Sequence, residues 1–157
     1  MLSITLNVNG REHGLAIQAT EMLLDVLRSR LGHVGTNKVC AQGICGACTV
    51  IADGKAITAC LALAGQFDGA KITTVEGLER DGQLDPLQEA FMRHGAVQCG
   101  YCTPGFLMSA RDLLNENPRP SREEIIDALR GNICRCTGYK KIIDAVADVA
   151  SQRGPGV

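Results

Sequence analysis

The sequence has no tryptophan, few aromatic residues of any kind and no long apolar run. Of 157 residues, 3% are aromatic and 45% are hydrophobic, so any core must be built from aliphatic side chains. That hydrophobic share is sufficient for one domain or two small ones and argues against a disordered chain. No apolar stretch is long enough to span a bilayer, and Met1 leads directly into an alternating strand pattern without room for a signal peptide. We therefore expect a cytoplasmic protein without direct membrane insertion.

The sequence also lacks a marked excess of positive or negative charge. The chain has 16 basic and 17 acidic residues, a formal net charge of -1 and no basic run. Nucleic acid and anionic membranes are therefore not expected as partners, because clustered positive charge is what holds both. The sequence has no Ser-His-Asp grouping, no phosphate-binding G-x-x-x-x-G-K-[ST] loop and no G-x-G-x-x-G motif that opens a helix after a strand. We expect no catalytic residue in this chain.

Cysteine, in contrast, is abundant, with eight residues in two groups of four. Disulfides explain this poorly in a chain without an export signal, because the cytosol keeps thiols reduced. Metal ligation is the better interpretation. The first thiol group is Cys40, Cys45, Cys48 and Cys60, and the second thiol group is Cys99, Cys102, Cys134 and Cys136.

The first thiol group has the spacing C-x4-C-x2-C followed by a distant cysteine. This is the spacing of the plant-type ferredoxin loop, which holds a 2Fe-2S cluster. Gly43 and Gly46 fit that loop because glycine reaches backbone angles closed to other residues and lets amides point at sulfur. Structural zinc is the alternative, but zinc ligands usually come as two short pairs, and three cysteines in one tight loop favour the cluster.

The second thiol group has the pattern C-x2-C, then C-x-C after an intervening helical segment. Its first pair precedes a helix that Thr103 is predicted to cap, with Pro104 as the first helical residue. Its second pair follows Gly131, which is predicted to end a helix. These four thiols are predicted to form a cage, and by themselves they fit zinc and a cluster equally well.

Local patterns divide the chain near residue 78. Before it, alternation and turn residues predict two β-hairpins, one around Asn9 and one around Asp53, with a helix capped by Thr20 between them. A last strand is predicted at residues 71–75. After it, capping boxes that begin at Asp85 and Ser121 introduce two of four predicted helices. The fourth helix is predicted to fray into a Gly/Pro tail at residues 153–157. The fold class is therefore α+β, with domains at residues 1–78 and 79–157.

Taken together, the two cysteine motifs resemble one known family. Residues 40–50 (CAQGICGACTV) resemble the plant-type cluster loop of the iron–sulfur subunit, or N-terminal iron–sulfur domain, of the molybdenum hydroxylases related to xanthine dehydrogenase, aldehyde oxidoreductase and carbon monoxide dehydrogenase. Residues 98–105 (QCGYCTPG) and 132–139 (NICRCTGY) resemble the second signature of that family. The resemblance covers nearly the whole chain.

The resemblance implies a β-grasp, ferredoxin-like N-terminal domain and a C-terminal four-helix bundle, each with one 2Fe-2S cluster. It implies a non-catalytic electron-transfer subunit in a hetero-oligomer, for example a dimer of heterotrimers. The expected partners are a large molybdopterin-binding subunit, which carries the substrate chemistry, and a medium FAD-binding subunit. The second cluster would lie nearer the molybdenum, with Gln98 in contact with the pterin, and the first cluster would face the flavin.

Two other functions fit the same residues. A free two-cluster ferredoxin would act as a diffusible carrier and would need no large apolar face. A zinc-stabilised interaction module would use the same thiols without electron transfer. The identity of the bound metal and the presence of partner subunits separate these alternatives from an assembled electron-transfer subunit.

Overall fold

The computed structural model describes residues 1–152. The predicted Gly/Pro tail at residues 153–157 lies outside the described residues. Within residues 1–152 no helix is long and apolar enough to cross a membrane. The strands lie in the first half of the chain and the long helices in the second, which confirms the α+β class.

Five strands form one mixed sheet with the order β2-β1-β5-β3-β4. Both predicted hairpins are present, because Asn9, Gly10, Asp53 and Gly54 all adopt the positive φ that such tight turns require. The short strand β5 pairs parallel with β1 and antiparallel with β3, which joins the two hairpins. The strands are β1 (Leu2–Val8), β2 (Arg11–Ile17), β3 (Thr49–Ala52), β4 (Lys55–Thr58) and β5 (Lys71–Thr73).

The helical segment between the hairpins differs from the prediction. It begins as one α-helical turn, α1 (Leu23–Asp25), and continues as a π-helix over Val26–Arg30. Thr20 does not cap it, and the N-cap position is taken by Met22 without a side-chain bond. The Leu23 N–H donates to the carbonyl of Ala62 at 2.7 Å, so a long-range backbone bond satisfies a group that a capping side chain would otherwise serve.

Four helices follow in the second half. Both predicted capping boxes form, each with its two reciprocal side-chain bonds, at Asp85 with Gln88 and at Ser121 with Glu124. The helices are α2 (Pro86–Arg93), α3 (Thr103–Glu116), α4 (Arg122–Ala128) and α5 (Lys140–Gln152).

Two predicted helix boundaries are wrong. Thr103 is the first residue of α3, not its cap, because the Cys102 carbonyl already accepts the Phe106 N–H at 3.2 Å. Cys102 is therefore the N-cap residue, and no side chain caps this end of the helix. At the other boundary, α4 ends at Ala128 with Leu129 as its C-cap, ahead of the predicted stop at Gly131.

The buried apolar side chains form two clusters, one under the sheet and one among the helices. Helix α3 connects them, because Ile51 of β3 is buried within the helical cluster. A Lys55–Glu116 ion pair between β4 and α3 spans the same boundary. The closest approach is at Gly105 in the first turn of α3, where an added Cβ would overlap the carbonyl oxygen of Gly46.

We expect Gly105→Ala to destabilise the protein by roughly 1–3 kcal/mol, because the new methyl group has no space against the Gly46 backbone. Alanine is the better helix former, so helix propensity alone predicts the opposite sign. Thermal unfolding midpoints of the two proteins measure the effect. Gly131→Ala is the matched control, since a Cβ there meets nothing within 4 Å. Equal midpoints for Gly105→Ala and the wild type would contradict the close approach.

Candidate functional site

The first thiol group lies between the helical segment and the second hairpin. Three of its cysteines sit in the loop before β3, and Cys60 lies in a 3-10 turn directly after β4. Gly43 and Gly46 adopt φ of 69° and 70°, as predicted for a loop that turns its amides toward sulfur. Amide donors do reach the sulfurs, from Gln42 to Cys40 at 3.4 Å and from Gly43 to Cys60 at 3.3 Å.

These surroundings act differently on individual thiols of the first group. The backbone N–H of Gln42, followed by those of Cys45 and Ile44, lowers the pKa of the Cys40 thiol to about 6. Burial raises the pKa of the Cys48 thiol to about 12. Cys48 is therefore protonated at neutral pH unless a cation lies beside it, whereas Cys40 is ready to ligate as a thiolate.

The second thiol group is assembled from two helix ends. Cys99 and Cys102 lie just before α3, and Cys134 and Cys136 lie in the loop that joins α4 to α5. Cys134 is buried, whereas Cys99 and Cys136 are exposed. This group is therefore open on one side.

Thr137 is the main hydrogen-bond donor of the second group. Its hydroxyl donates to Cys134 Sγ at 3.0 Å and its amide donates to the same sulfur at 3.3 Å. Burial opposes ionisation of Cys134, but these bonds outweigh it and lower the pKa of the Cys134 thiol. Burial, and then the neighbouring Cys134 thiol, raises the pKa of Cys102 to about 12.

The thiols of each group are arranged as two pairs. All eight cysteines are free, and within each group the thiols lie close enough to shift one another's pKa two by two. Thiols of different pairs also lie close enough to repel one another once they are ionised, as Cys45 and Cys48 do in the first group and Cys134 and Cys136 in the second. The pairs are Cys40 with Cys45, Cys48 with Cys60, Cys102 with Cys134, and Cys99 with Cys136.

This pairing fits a binuclear cluster better than a single ion. A structural zinc ion draws four ligands to one centre, at about 2.3 Å for sulfur. A 2Fe-2S cluster instead places two ligands on each of two irons. The donor set therefore suits two irons per group.

Three hydrogen bonds to backbone carbonyls join the segments that carry the two thiol groups. The Ile133 N–H, next to Cys134, donates to the carbonyl of Cys45 at 2.9 Å. The buried side chain of Asn132 donates through Nδ2 to the carbonyl of Gly46 at 3.1 Å. A third bond runs from Asn37 Nδ2 to the carbonyl of Tyr101 at 2.8 Å. The loop of the first group is thus held against both segments of the second.

The remaining predicted site residue, Gln98, is exposed directly before Cys99. Its side chain makes no hydrogen bond within residues 1–152, so it is available to another molecule. Three residues of the signature at residues 132–139 shape the second group without being predicted ligands, namely Asn132, Thr137 and Tyr139. Thr137 and Tyr139 act on Cys134 within the same loop, whereas the partner of Asn132, the Gly46 carbonyl, lies far away in the sequence and could not be predicted from it.

Two family models match the chain and overlap in its middle. The model of a 2Fe-2S iron-sulfur cluster binding domain matches residues 5–92, and that of a 2Fe-2S binding domain matches residues 74–147. Each match contains one complete thiol group, so both groups lie in segments typical of cluster-binding proteins.

Known proteins resemble the chain over almost all of its length. The nicotine 6-hydroxylase small subunit of Paenarthrobacter nicotinovorans is 54% identical over 98% of this chain and 92% of that relative. The structure of quinoline 2-oxidoreductase from Pseudomonas putida 86 matches with a TM-score of 0.92 at 46% identity, over 96% of this chain and 94% of that chain. Aldehyde oxidoreductase from Desulfovibrio gigas matches with a TM-score of 0.92 at 48% identity, but the match spans only 17% of that chain.

We expect Asn132→Ala to weaken the junction between the two thiol groups, because it removes the side-chain bond to the Gly46 carbonyl. The loss of one buried hydrogen bond is worth about 1 kcal/mol. Thermal unfolding, followed by visible absorbance and by circular dichroism, should show a lower midpoint. Asn115→Ala is the control, since Asn115 is an exposed residue near the end of α3. An unchanged midpoint for Asn132→Ala would show that the junction does not depend on this side chain.

Proposed function

Because this chain belongs to the small iron–sulfur subunits of the molybdenum hydroxylases, we propose that it relays single electrons between a molybdenum-containing partner and a flavin or other acceptor. The pairing of eight free thiols into two groups of four is the observation that carries this proposal. Substrate chemistry belongs to the partner, and this subunit is not itself catalytic. We place the complex in the cytoplasm, where thiols stay reduced.

In this proposal, each thiol group holds one 2Fe-2S cluster. When bound, such a cluster accepts and releases one electron at a time. The protein supplies the thiolate ligands and the donors that stabilise charge on sulfur, from Gln42 and Gly43 in the first group and from Thr137 in the second. Because the donors differ in kind, two amides in the first group against an amide and a hydroxyl in the second, and because exposure differs, the two groups should have different reduction potentials.

The backbone junction gives the relay a short connection. From Cys134 the chain leads through the Ile133 N–H across a 2.9 Å hydrogen bond to the carbonyl of Cys45. The route therefore contains one hydrogen bond and otherwise only covalent bonds. Because this route runs through the backbone, it does not depend on the conformation of any side chain between the two groups.

Exposed apolar side chains around the thiols support an assembled subunit over a free ferredoxin. Val97, Tyr101, Ile133 and Tyr139, which we name the second-group patch, are 38–52% exposed around the second thiol group. Beside the first group, Val39, Ile44 and Leu61 are 54–60% exposed. Apolar side chains clustered at a functional site mark interaction surfaces.

We assign these two surfaces to two partners. The large molybdopterin-binding subunit would dock on the second-group patch, with Gln98 donating to the pterin. A medium FAD-binding subunit would dock beside the first thiol group. The result is a hetero-oligomer, and a dimer of heterotrimers is one arrangement that satisfies both contacts.

We also propose that the two halves are separate domains, with a boundary near residue 78. The N-terminal half would be a ferredoxin-like β-grasp domain and the C-terminal half a four-helix bundle. The two separate buried clusters support this division. The packing of α3 on β3 then forms the interface between the domains.

We expect Ile133→Asp to release the molybdenum-containing partner, because it places a charge in the second-group patch. The substitution leaves the Ile133 backbone bond to Cys45 in place. Isolation through an affinity tag on this chain, followed by measurement of molybdenum, flavin and iron, detects the loss. Leu2→Asp is the control, because Leu2 is 44% exposed at the start of β1. Retention of molybdenum by Ile133→Asp would refute the docking surface, and absence of molybdenum from the wild-type complex would refute the partner.

A further inference from the structure

Tyr139 stands at the edge of the second thiol group, where its hydroxyl accepts a hydrogen bond from the backbone of a ligand residue. We propose that Tyr139 is a positioning residue that keeps the reduction potential of the second cluster low, by holding the Cys134 amide away from sulfur. The inference rests on the proposed function, because it concerns a cluster bound by the second thiol group. It extends that function by assigning control of the potential to a residue that is not a ligand.

A closed set of hydrogen bonds connects Tyr139 to Cys134 through Thr137. The Cys134 N–H donates to the Tyr139 hydroxyl at 3.1 Å. The Tyr139 N–H donates to Thr137 Oγ1 at 3.3 Å, and that hydroxyl donates to Cys134 Sγ at 3.0 Å. Both ends of Tyr139 therefore hold the loop that carries Cys134.

The position of the Tyr139 ring is built into the loop. Tyr139 has φ of 67°, a left-handed conformation that non-glycine residues rarely adopt, and it follows Gly138 with φ of 64°. Such a conformation persists where the surroundings hold it in place. Here the ring lies against Phe106, with centroids 6.2 Å apart and planes tilted by 58°. This contact does not involve the hydroxyl.

The effect on potential follows from the charge of the reduced cluster. Reduction adds negative charge, so each N–H or O–H donor to sulfur favours the reduced form and raises the potential. Thr137 contributes two such donors to Cys134 Sγ. Tyr139 acts in the opposite sense, because its hydroxyl accepts the Cys134 N–H, and an N–H engaged with that oxygen does not donate to sulfur.

The test is an EPR-monitored redox titration of the full chain carrying Tyr139→Phe. The substitution keeps the ring contact with Phe106 and removes only the acceptor of the Cys134 N–H. We expect a more positive midpoint potential for the second cluster and an unchanged midpoint for the first. Tyr101→Phe is the control, because Tyr101 is 52% exposed and its hydroxyl has no hydrogen-bond partner in the described part of the chain. It should shift neither midpoint.

Thr137→Val should move the same midpoint in the opposite direction. The substitution conserves the shape of the side chain, removes the hydroxyl donor to Cys134 Sγ and leaves the amide donor in place. We expect a more negative midpoint for the second cluster, measured by the same titration. The opposite signs separate control of the potential from general loosening of the loop, which would move both variants alike.

Three results would overturn the role of Tyr139. These are an unchanged or more negative second midpoint in Tyr139→Phe, an equal shift in Tyr101→Phe, and loss of the second signal in Tyr139→Phe alone, which would mark a purely structural role. Absence of a second EPR signal from the wild type is a different result. It would refute the proposed function itself.

Discussion

The hydrogen bond from the Ile133 N–H to the Cys45 carbonyl is the contact on which the arrangement of both thiol groups depends. Ile133 directly precedes Cys134 of the second group, and Cys45 belongs to the first group. The two groups therefore cannot separate without breaking this bond. The tight fit of Gly105 against Gly46 requires the same close approach of the two halves. The same contacts therefore fix both the interface between the halves and the distance between the thiol groups. A substitution that changes the interface should also change that distance.

Each thiol group combines one cysteine with a lowered pKa and at least one with a raised pKa. Backbone donors lower the pKa of Cys40, and the bonds from Thr137 lower that of Cys134, whereas burial raises the pKa of Cys48 and Cys102 to about 12. A buried thiol with a raised pKa loses its proton readily only to a metal cation. Each group therefore places one cysteine that is ready to ligate, Cys40 or Cys134, beside one that ligates only when a metal cation displaces its proton, Cys48 or Cys102.

The sequence correctly predicted the features that depend on interactions between residues close to each other in the chain. The hairpins, both capping boxes and the positive φ of Gly43 and Gly46 depend on residues close in sequence, and all are present. The cap at Thr20 was wrong because a distant carbonyl, that of Ala62, serves the helix instead. The cysteine spacing identified two groups, but it could not reveal their pairing. The role of Asn132 depends on Gly46, which only folding brings close, so the motif that contains Asn132 does not reveal its partner. The Tyr139 hydroxyl acts within its own loop, but the residue types alone do not give the direction of that contact.

The most direct test of the two-cluster relay is to measure iron, inorganic sulfide and zinc in the anaerobically purified chain, with EPR of its dithionite-reduced form over a range of temperatures. The account predicts about four irons and about four sulfides per chain, and two EPR signals with different temperature dependence, because the groups differ in donors and exposure. Zinc in the second thiol group with a single EPR signal would contradict it, and would leave one electron-transfer site beside a structural metal.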